Sequence, residues 1–80
     1  MATLTLILSA TLRKYVENYD PYTGQEVAFS EPLTVQEFID TLGIPASEIH
    51  IIMMNNAHAH LDTILTDKAR LALFPAVGGG

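Results

Sequence analysis

Apolar and polar residues alternate at the start of the chain, and this pattern predicts a β-strand. Over residues 3–9 the three leucines fall on one side, opposite threonine, isoleucine and serine. A period of two is typical of a strand with one buried face. The sequence DPYTG at residues 20–24 favours a turn, because proline fixes φ and glycine can take a positive φ, and residues 26–29 resume an extended run. The chain is therefore predicted to begin with a β-hairpin that has a long tip.

The next segment has the signals of a short amphipathic helix. Thr34 and Glu37 have the spacing of a capping box, in which each side chain satisfies an unpaired amide of the first turn. Apolar residues then recur on one helical face: Val35, Phe38, Ile39 and Leu42. Gly43 can take the left-handed conformation that ends a helix, with Ile44 contacting Ile39. We predict a helix of about two turns that buries one apolar stripe.

Two further apolar runs complete the predicted sheet. Residues 49–54 are too few for a helix and rich in β-branched side chains, and residues 68–74 form the last run. Asn55-Asn56 suits a tight turn, and a short extra strand is predicted near residues 57–61. We expect an α+β fold with a mixed sheet of four to five strands and one main helix packed on one face. A right-handed crossover through the helix makes this a β-grasp.

Composition restricts the class of protein. Eighty residues make one small domain, and we assign residues 1–77 to the β-grasp and residues 78–80 to a flexible glycine tail. There is no cysteine and no set of ligands with zinc spacing, so neither a disulfide nor a metal site is predicted. The net charge of -5 disfavours nucleic acid and anionic membranes as partners. Charged residues make up 16%, below the usual proportion of about 25%, so some apolar surface is expected to face a partner.

Signals for export and for catalysis are missing from the sequence. The residues after Met1 include no basic region, long apolar stretch or cleavage site, which predicts a cytoplasmic protein. No serine, histidine and acid form a recognisable triad, and no glycine-rich phosphate loop follows a strand. His58 and His60 would share one face of a strand, but no third ligand is near them in sequence. We therefore expect a solvated strand end there, with His58 as a candidate partner contact.

The chain ends in three glycines, Gly78, Gly79 and Gly80. Glycine loses more conformational freedom on ordering than any other residue, so stability alone does not account for such a run. The run is either an inert tail or a segment whose own end is functional.

Several short segments match the pattern of a known family. They are Ala10-Thr11-Leu12-Arg13-Lys14 after the first strand, Asn55 at a hairpin, Leu65-Thr66-Asp67 before the last strand, and Phe74-Pro75-Ala76-Val77 before the glycines. With these segments the chain resembles the ubiquitin-like sulfur-carrier proteins of the MoaD/ThiS type, and among them the small subunit of molybdopterin synthase. The resemblance covers essentially the whole chain and implies the ubiquitin-like β-grasp fold. It also implies a sulfur carrier for molybdenum cofactor biosynthesis, a cosubstrate rather than a complete enzyme.

In this family the chemistry occurs at the carboxylate of the last residue, which is Gly80 here. The resemblance implies that an adenylating enzyme of the ubiquitin-activating type uses ATP to activate this carboxylate. Sulfur from a persulfide donor then displaces AMP and leaves a thiocarboxylate. Gly79 and Gly80 lack Cβ atoms, so this end can pass through a narrow channel and catalytic groups can approach its backbone. The chain itself is predicted to bind no cofactor.

The resemblance also implies contacts with a synthase large subunit or another sulfur-acceptor enzyme. It assigns Phe74 to partner contact, and Pro75, Val77 and Gly78 belong to the same segment. We expect Phe74 on the sheet face opposite the buried leucines of its strand, and the alternative is a phenylalanine folded over the sheet edge. This docking surface is predicted to extend to a second apolar pair, Ile52 and Met54, and to His58.

Two positions depart from the family pattern. Members commonly have Asp-Gly-Asp before the last strand, where this chain has Asp67-Lys68-Ala69, and commonly Ala, Ser or Thr where it has Gly78. Other functions stay open on the sequence: a carrier for thiamine, cysteine or another sulfur metabolite, a ubiquitin-like modifier conjugated through its C-terminus, or an interaction domain with an inert tail. The long hairpin tip at residues 20–24 argues against the shorter thiamine type.

Overall fold

The computed structural model describes residues 2–75, which form a mixed β-sheet with one α-helix. The strands are β1 (Ala2–Leu8), β2 (Gln25–Phe29), β3 (Ile49–Met54), β4 (Ala57–His58) and β5 (Ala69–Pro75). Helix α1 spans Val35–Leu42, and two 3₁₀ helices span Ala10–Tyr15 and Ala46–Glu48. At eight residues α1 is the longest helix within residues 2–75, where none could span a lipid bilayer.

The strands lie in the order β2-β1-β5-β3-β4. β1 and β5 run parallel at the centre, and the other neighbouring pairs run antiparallel. The chain crosses from β2 through α1 to β3 on the other side of the two central strands. This arrangement confirms the predicted α+β fold, including the short extra strand. Because β1 and β5 are parallel, their C-terminal ends lie at the same edge of the sheet.

The core lies between α1 and one face of the sheet. Most of its buried side chains come from alternate residues of the central strands and from the apolar stripe of α1: Ala2, Leu4, Leu6, Leu8, Ala69, Leu71, Leu73, Val35, Phe38 and Ile39. Full burial of a side chain such as leucine stabilises the fold by about 1.5–3 kcal/mol. The central strands therefore use one face for stability, which leaves their opposite face available for contacts.

Both ends of α1 have the predicted capping interactions. The Glu37 amide donates to Thr34 Oγ1 at 3.1 Å, and the Thr34 amide donates to Glu37 Oε1 at 2.9 Å. At the other end Gly43 has a φ of 77°, and the Ile44 amide donates to the Ile39 carbonyl at 3.0 Å. These bonds satisfy backbone groups that a helix end leaves unpaired, so the short helix has fixed boundaries.

The 3₁₀ helix Ala10–Tyr15 was not expected from the sequence, because six residues show no helical period. Its Leu12 is fully buried, and its Arg13 Nε donates to the Leu8 carbonyl at 3.0 Å. The Leu8 amide donates to the Tyr19 hydroxyl at 2.7 Å. β2 begins at Gln25, opposite Leu6, so it does not reach Leu8. The Arg13 and Tyr19 side chains supply the hydrogen bonds of Leu8 that β2 does not make.

The turn before β5 is bound to the start of β1. Asp67 Oδ1 accepts a hydrogen bond from the Thr3 amide at 2.9 Å, and the Lys68 amide donates to the Thr3 carbonyl at 2.6 Å. Lys68 has a φ of 64°, a conformation that glycine adopts more readily than lysine. The departure from the family's glycine therefore places a side chain in the left-handed region.

We expect Lys68→Gly to raise the free energy of unfolding by about 0.5 kcal/mol. Relief of the left-handed conformation is worth about 1 kcal/mol or more, and the extra freedom of glycine in the unfolded chain offsets part of it. Urea unfolding measures the difference. Lys68→Ala is the matched control, because it also removes the amine but keeps the Cβ. Equal stability of the two variants would contradict the backbone explanation.

Candidate functional site

The sheet face opposite α1 has a continuous group of apolar side chains. Ile51 pairs with Phe74, Met53 pairs with Ala72, and Ala72 also pairs with Ile7 on β1. Directly paired residues place their side chains on the same face of a sheet. We call these five residues the outer apolar patch. Ile51 is 37% exposed and the other four are half-buried, so the patch is accessible to a partner.

The predicted position of Phe74 is confirmed. Leu71 and Leu73 have no exposed surface, so the residues that alternate with them point away from α1. Phe74 therefore lies on the outer face, one residue before the last described residue, Pro75. Its role in docking stays a prediction.

The predicted position of Ile52 and Met54 on that face is wrong. Ile52 is only 9% exposed and pairs with Leu73, and Met54 packs against the core and pairs with Leu71. The cause is an irregularity between Ile49 and Ile51, where β3 has one residue more than β5. Such a bulge shifts the alternation of side chains by one position. Ile51 and Met53 therefore occupy the outer positions, and no residue type in this segment signals the shift.

His58 lies beside the outer apolar patch. It is exposed on β4, where it pairs with Met53 and so shares the outer face. Its predicted contact with a partner is compatible with this position but is not tested by it. Within residues 2–75, no three His, Asp or Glu side chains come together as a metal site.

Basic side chains lie at the end of the sheet where β5 finishes. The Ser9 amide donates to the Leu73 carbonyl at 3.3 Å, so the 3₁₀ helix that follows β1 adjoins the end of β5. This helix has two of the four basic residues of the chain, Arg13 and Lys14, and both are exposed. In the sequence these two residues stand out only as part of the family pattern that follows the first strand. The parallel pairing of β1 and β5 brings this 3₁₀ helix to the edge of the sheet at which β5 ends, and its exposed basic side chains are candidate contacts for an acidic partner surface.

A tyrosine holds this 3₁₀ helix in place. The Tyr15 hydroxyl donates to Glu48 Oε2 at 2.6 Å, which links the two 3₁₀ helices. This hydrogen bond to a carboxylate raises the pKa of Tyr15 above its ordinary value. The link is therefore retained at neutral pH and is lost when alkaline pH removes the tyrosine proton.

The predicted reactive group, the carboxylate of Gly80, belongs to a residue outside the described range. Pro75 pairs with Ile49 and is half-buried, and it ends the described strand. The predicted roles of Val77, Gly78, Gly79 and Gly80 concern residues outside the described range. What the structure defines is therefore the surface next to which the terminal segment begins.

The strand order, the parallel central strands and the one α-helix found within residues 2–75 define a β-grasp protein of the ubiquitin-like class. A model of the ThiS family matches residues 7–80 of the sequence. The chain therefore belongs to the ThiS family, which confirms the predicted membership of the MoaD/ThiS-type sulfur carriers. None of the curated protein sequences matches the chain.

Three solved structures are similar to this chain over most of its length. The Haloferax volcanii small archaeal modifier protein 1 has a TM-score of 0.72 and 22% identity over 96% of this chain and 100% of its own. A putative molybdopterin converting factor, subunit 1, from Pyrococcus furiosus has a TM-score of 0.71 and 15% identity over 96% and 100%. The Haloferax volcanii HVO 2177 protein has a TM-score of 0.74 and 21% identity over 99% and 87%. At these identities the likeness confirms the fold alone.

Proposed function

We propose that this protein is a sulfur carrier whose C-terminal carboxylate, on Gly80, becomes a thiocarboxylate. The observation that supports this most is the extent of the family match, which includes the terminal glycines. The outer apolar patch adds a second support, because Phe74 lies immediately before the residue at which β5 ends. A carrier needs both a surface that partners recognise and a chain end that reaches their active sites.

The chemistry begins with activation of the carboxylate by an adenylating partner. The carboxylate oxygen attacks the α-phosphate of ATP, pyrophosphate leaves, and an acyl adenylate forms. A persulfide sulfur then attacks the acyl carbon and displaces AMP, after which a thiol cleaves the sulfur–sulfur bond and leaves the thiocarboxylate. Adenylation is needed because a carboxylate oxygen is otherwise a poor leaving group. ATP is thus a substrate of the activating partner and not a cofactor of this chain.

The composition of the chain suits this chemistry. It has no cysteine, so no thiol of its own can attack the acyl adenylate and divert it to a thioester. Gly79 and Gly80 offer no Cβ that would obstruct a narrow active-site channel. The protein acts as a cosubstrate, and the larger partner supplies the catalytic groups.

We place this carrier in molybdopterin biosynthesis, as the small subunit that docks on a larger synthase subunit. The support is the Phe-Pro-x-Val ending and the fold shared with the Pyrococcus furiosus protein. Carriers for thiamine, cysteine or other sulfur metabolites share the same terminal chemistry. Transfer of sulfur to a pterin precursor, in the presence of the synthase large subunit, separates these pathways.

Incubation with ATP, an adenylating enzyme and a persulfide donor is expected to convert Gly80 to a thiocarboxylate. Intact-mass measurement should show the replacement of one oxygen by sulfur, and fragmentation should locate it in the C-terminal peptide. A reaction without ATP is the control, because activation requires adenylation. An unchanged terminus with an enzyme that activates another carrier of the family would contradict the proposal.

A ubiquitin-like modifier is the second candidate. The observation that favours it is the fold shared with the Haloferax volcanii small archaeal modifier protein 1 over 96% of this chain. A modifier would use the same acyl adenylate, but a lysine amine of a target protein would displace AMP. Gly80 joined to lysine in tryptic peptides from cells would support this function. Thiocarboxylate without such adducts would support the carrier alone.

A further inference from the structure

The free edge of β2 has a defined pattern of backbone groups. Within one strand the N–H and C=O of a residue point to the same side, and this side alternates from residue to residue. Thr3 directs both groups toward the β5 side, since its amide bonds Asp67 at 2.9 Å and its carbonyl bonds Lys68 at 2.6 Å. The neighbouring residue Leu4 therefore directs its groups toward β2.

The strand register extends this pattern to β2. Leu4 pairs with Val27, so Val27 is hydrogen-bonded to β1, and the same holds for every second residue of β2. Glu26 and Ala28 lie between them and direct their N–H and C=O groups out of the sheet. Among residues 2–75, only Gln25 Nε2 approaches these groups, at 3.5 Å from the Glu26 carbonyl. β2 is an edge strand, so this row can pair with an added strand.

An apolar groove lies beside this edge, between β2 and α1. It has a volume of about 380 Å³, and its lining residues include Val27, Phe29, Leu33, Phe38 and Thr41. An added strand would lie about 4.8 Å from β2, with alternate side chains on the helix side of the sheet. Those side chains would cover the groove, while the remaining ones would lie next to Glu26 on the outer face.

The charged residues of β2, of α1 and of the segment between them have one sign. Residues 25–42 include Glu26, Glu31, Glu37 and Asp40, four of the nine acidic residues, and none of the four basic residues. All four carboxylates belong to exposed residues. A ligand at this edge therefore meets negative charge, and lysine or arginine in the ligand would complement it.

We propose that the β2 edge binds an extended segment of a partner protein in which apolar and basic residues alternate. The partner backbone pairs with Glu26 and Ala28, its apolar side chains enter the groove, and a basic side chain lies next to the Glu26 carboxylate. This is recognition by strand addition, in which backbone bonds give affinity and side-chain positions give specificity. A second copy of this chain is a poor occupant, because pairing two β2 edges would bring like charges together.

A synthetic peptide of alternating lysine and isoleucine tests this site on the full-length ¹⁵N-labelled protein. We expect saturable amide shifts centred on Glu26 and Ala28, with slower hydrogen exchange at both amides. A peptide with glutamate in place of lysine should bind at least tenfold more weakly, because it meets like charge. Ala28→Pro removes an outward N–H without removing a ladder bond, and it should weaken lysine-peptide binding about tenfold.

Thr41→Arg is the second variant, since it is placed on exposed α1 surface at the groove and leaves β2 intact. It should also weaken binding about tenfold through added charge and bulk. The proposal is overturned if the shifts centre on Phe74 and Ile51, if both peptides bind equally, or if no saturation occurs at millimolar peptide. It is also overturned if sedimentation shows that the protein alone dimerises and that Ala28→Pro prevents this, because the occupant would then be a second copy.

Discussion

Removal of one terminal glycine is expected to lower sulfur transfer at least a hundredfold. The tail becomes shorter by about 3.3 Å, and a misplacement of about 1 Å can already cost a hundredfold in rate. The free energy of unfolding should change by less than about 0.5 kcal/mol, because the removed residue has no side chain and lies at the chain end. Single-turnover sulfur transfer and urea unfolding measure the two effects.

The matched control for this deletion is Gly78→Ala. It keeps the length of the tail and introduces a residue that family members commonly have at this position. We expect near-normal sulfur transfer from this variant, since the carboxyl end of the chain can still reach the active site of the partner. A large loss of transfer in Gly78→Ala would show that tail flexibility matters more than its length. A large loss of stability in the deletion variant would show instead that the glycines belong to the folded domain.

The parts of the fold that the sequence predicted well are those with local causes. Helix α1 has its capping box, its apolar stripe and its terminating Gly43 within ten consecutive residues, so each signal supports the others. The alternation of β1 likewise predicted its buried face, because that strand has no bulge. Phe74 was likewise predicted to point outward, because it alternates with the buried Leu71 and Leu73.

The errors concern features that depend on distant residues. The bulge between Ile49 and Ile51 follows from how β3 pairs with β5, and no turn residue or proline marks it in sequence. A shift of one position exchanges the two faces of a strand, which is why Ile52 and Met54 were assigned to the wrong face. The place of Ile51 and Met53 in the outer apolar patch is therefore visible only in the structure.

The proximity of the basic 3₁₀ helix to the end of β5 is also a long-range feature. Arg13 and Pro75 are far apart in sequence, and the parallel pairing of β1 with β5 brings their segments to one edge. The proposed carrier thus combines the chemistry of its family at Gly80 with a surface that forms only when the chain folds. Tests of the surface must separate binding from stability, because the same strand supplies residues to the core and to the outer apolar patch.

Phe74→Ala is expected to weaken binding to the activating enzyme or the synthase large subunit by about 2 kcal/mol, roughly thirtyfold. The reason is that Phe74 is the aromatic member of the outer apolar patch and lies next to the terminal segment. Its removal should cost the fold about 1 kcal/mol, since the side chain is only half-buried. Calorimetric binding and urea unfolding of the same variant give both values.

Leu73→Ala is the matched control on the same strand. Leu73 is fully buried and faces α1, so its truncation should lower the free energy of unfolding by about 2–5 kcal/mol. Molecules of this variant that remain folded should bind the partner with normal affinity, because the outer apolar patch is intact. Adjacent residues would then show opposite effects, as expected for the two faces of one strand. If Phe74→Ala destabilises the fold as much as Leu73→Ala and leaves the affinity of folded molecules unchanged, the docking surface lies elsewhere.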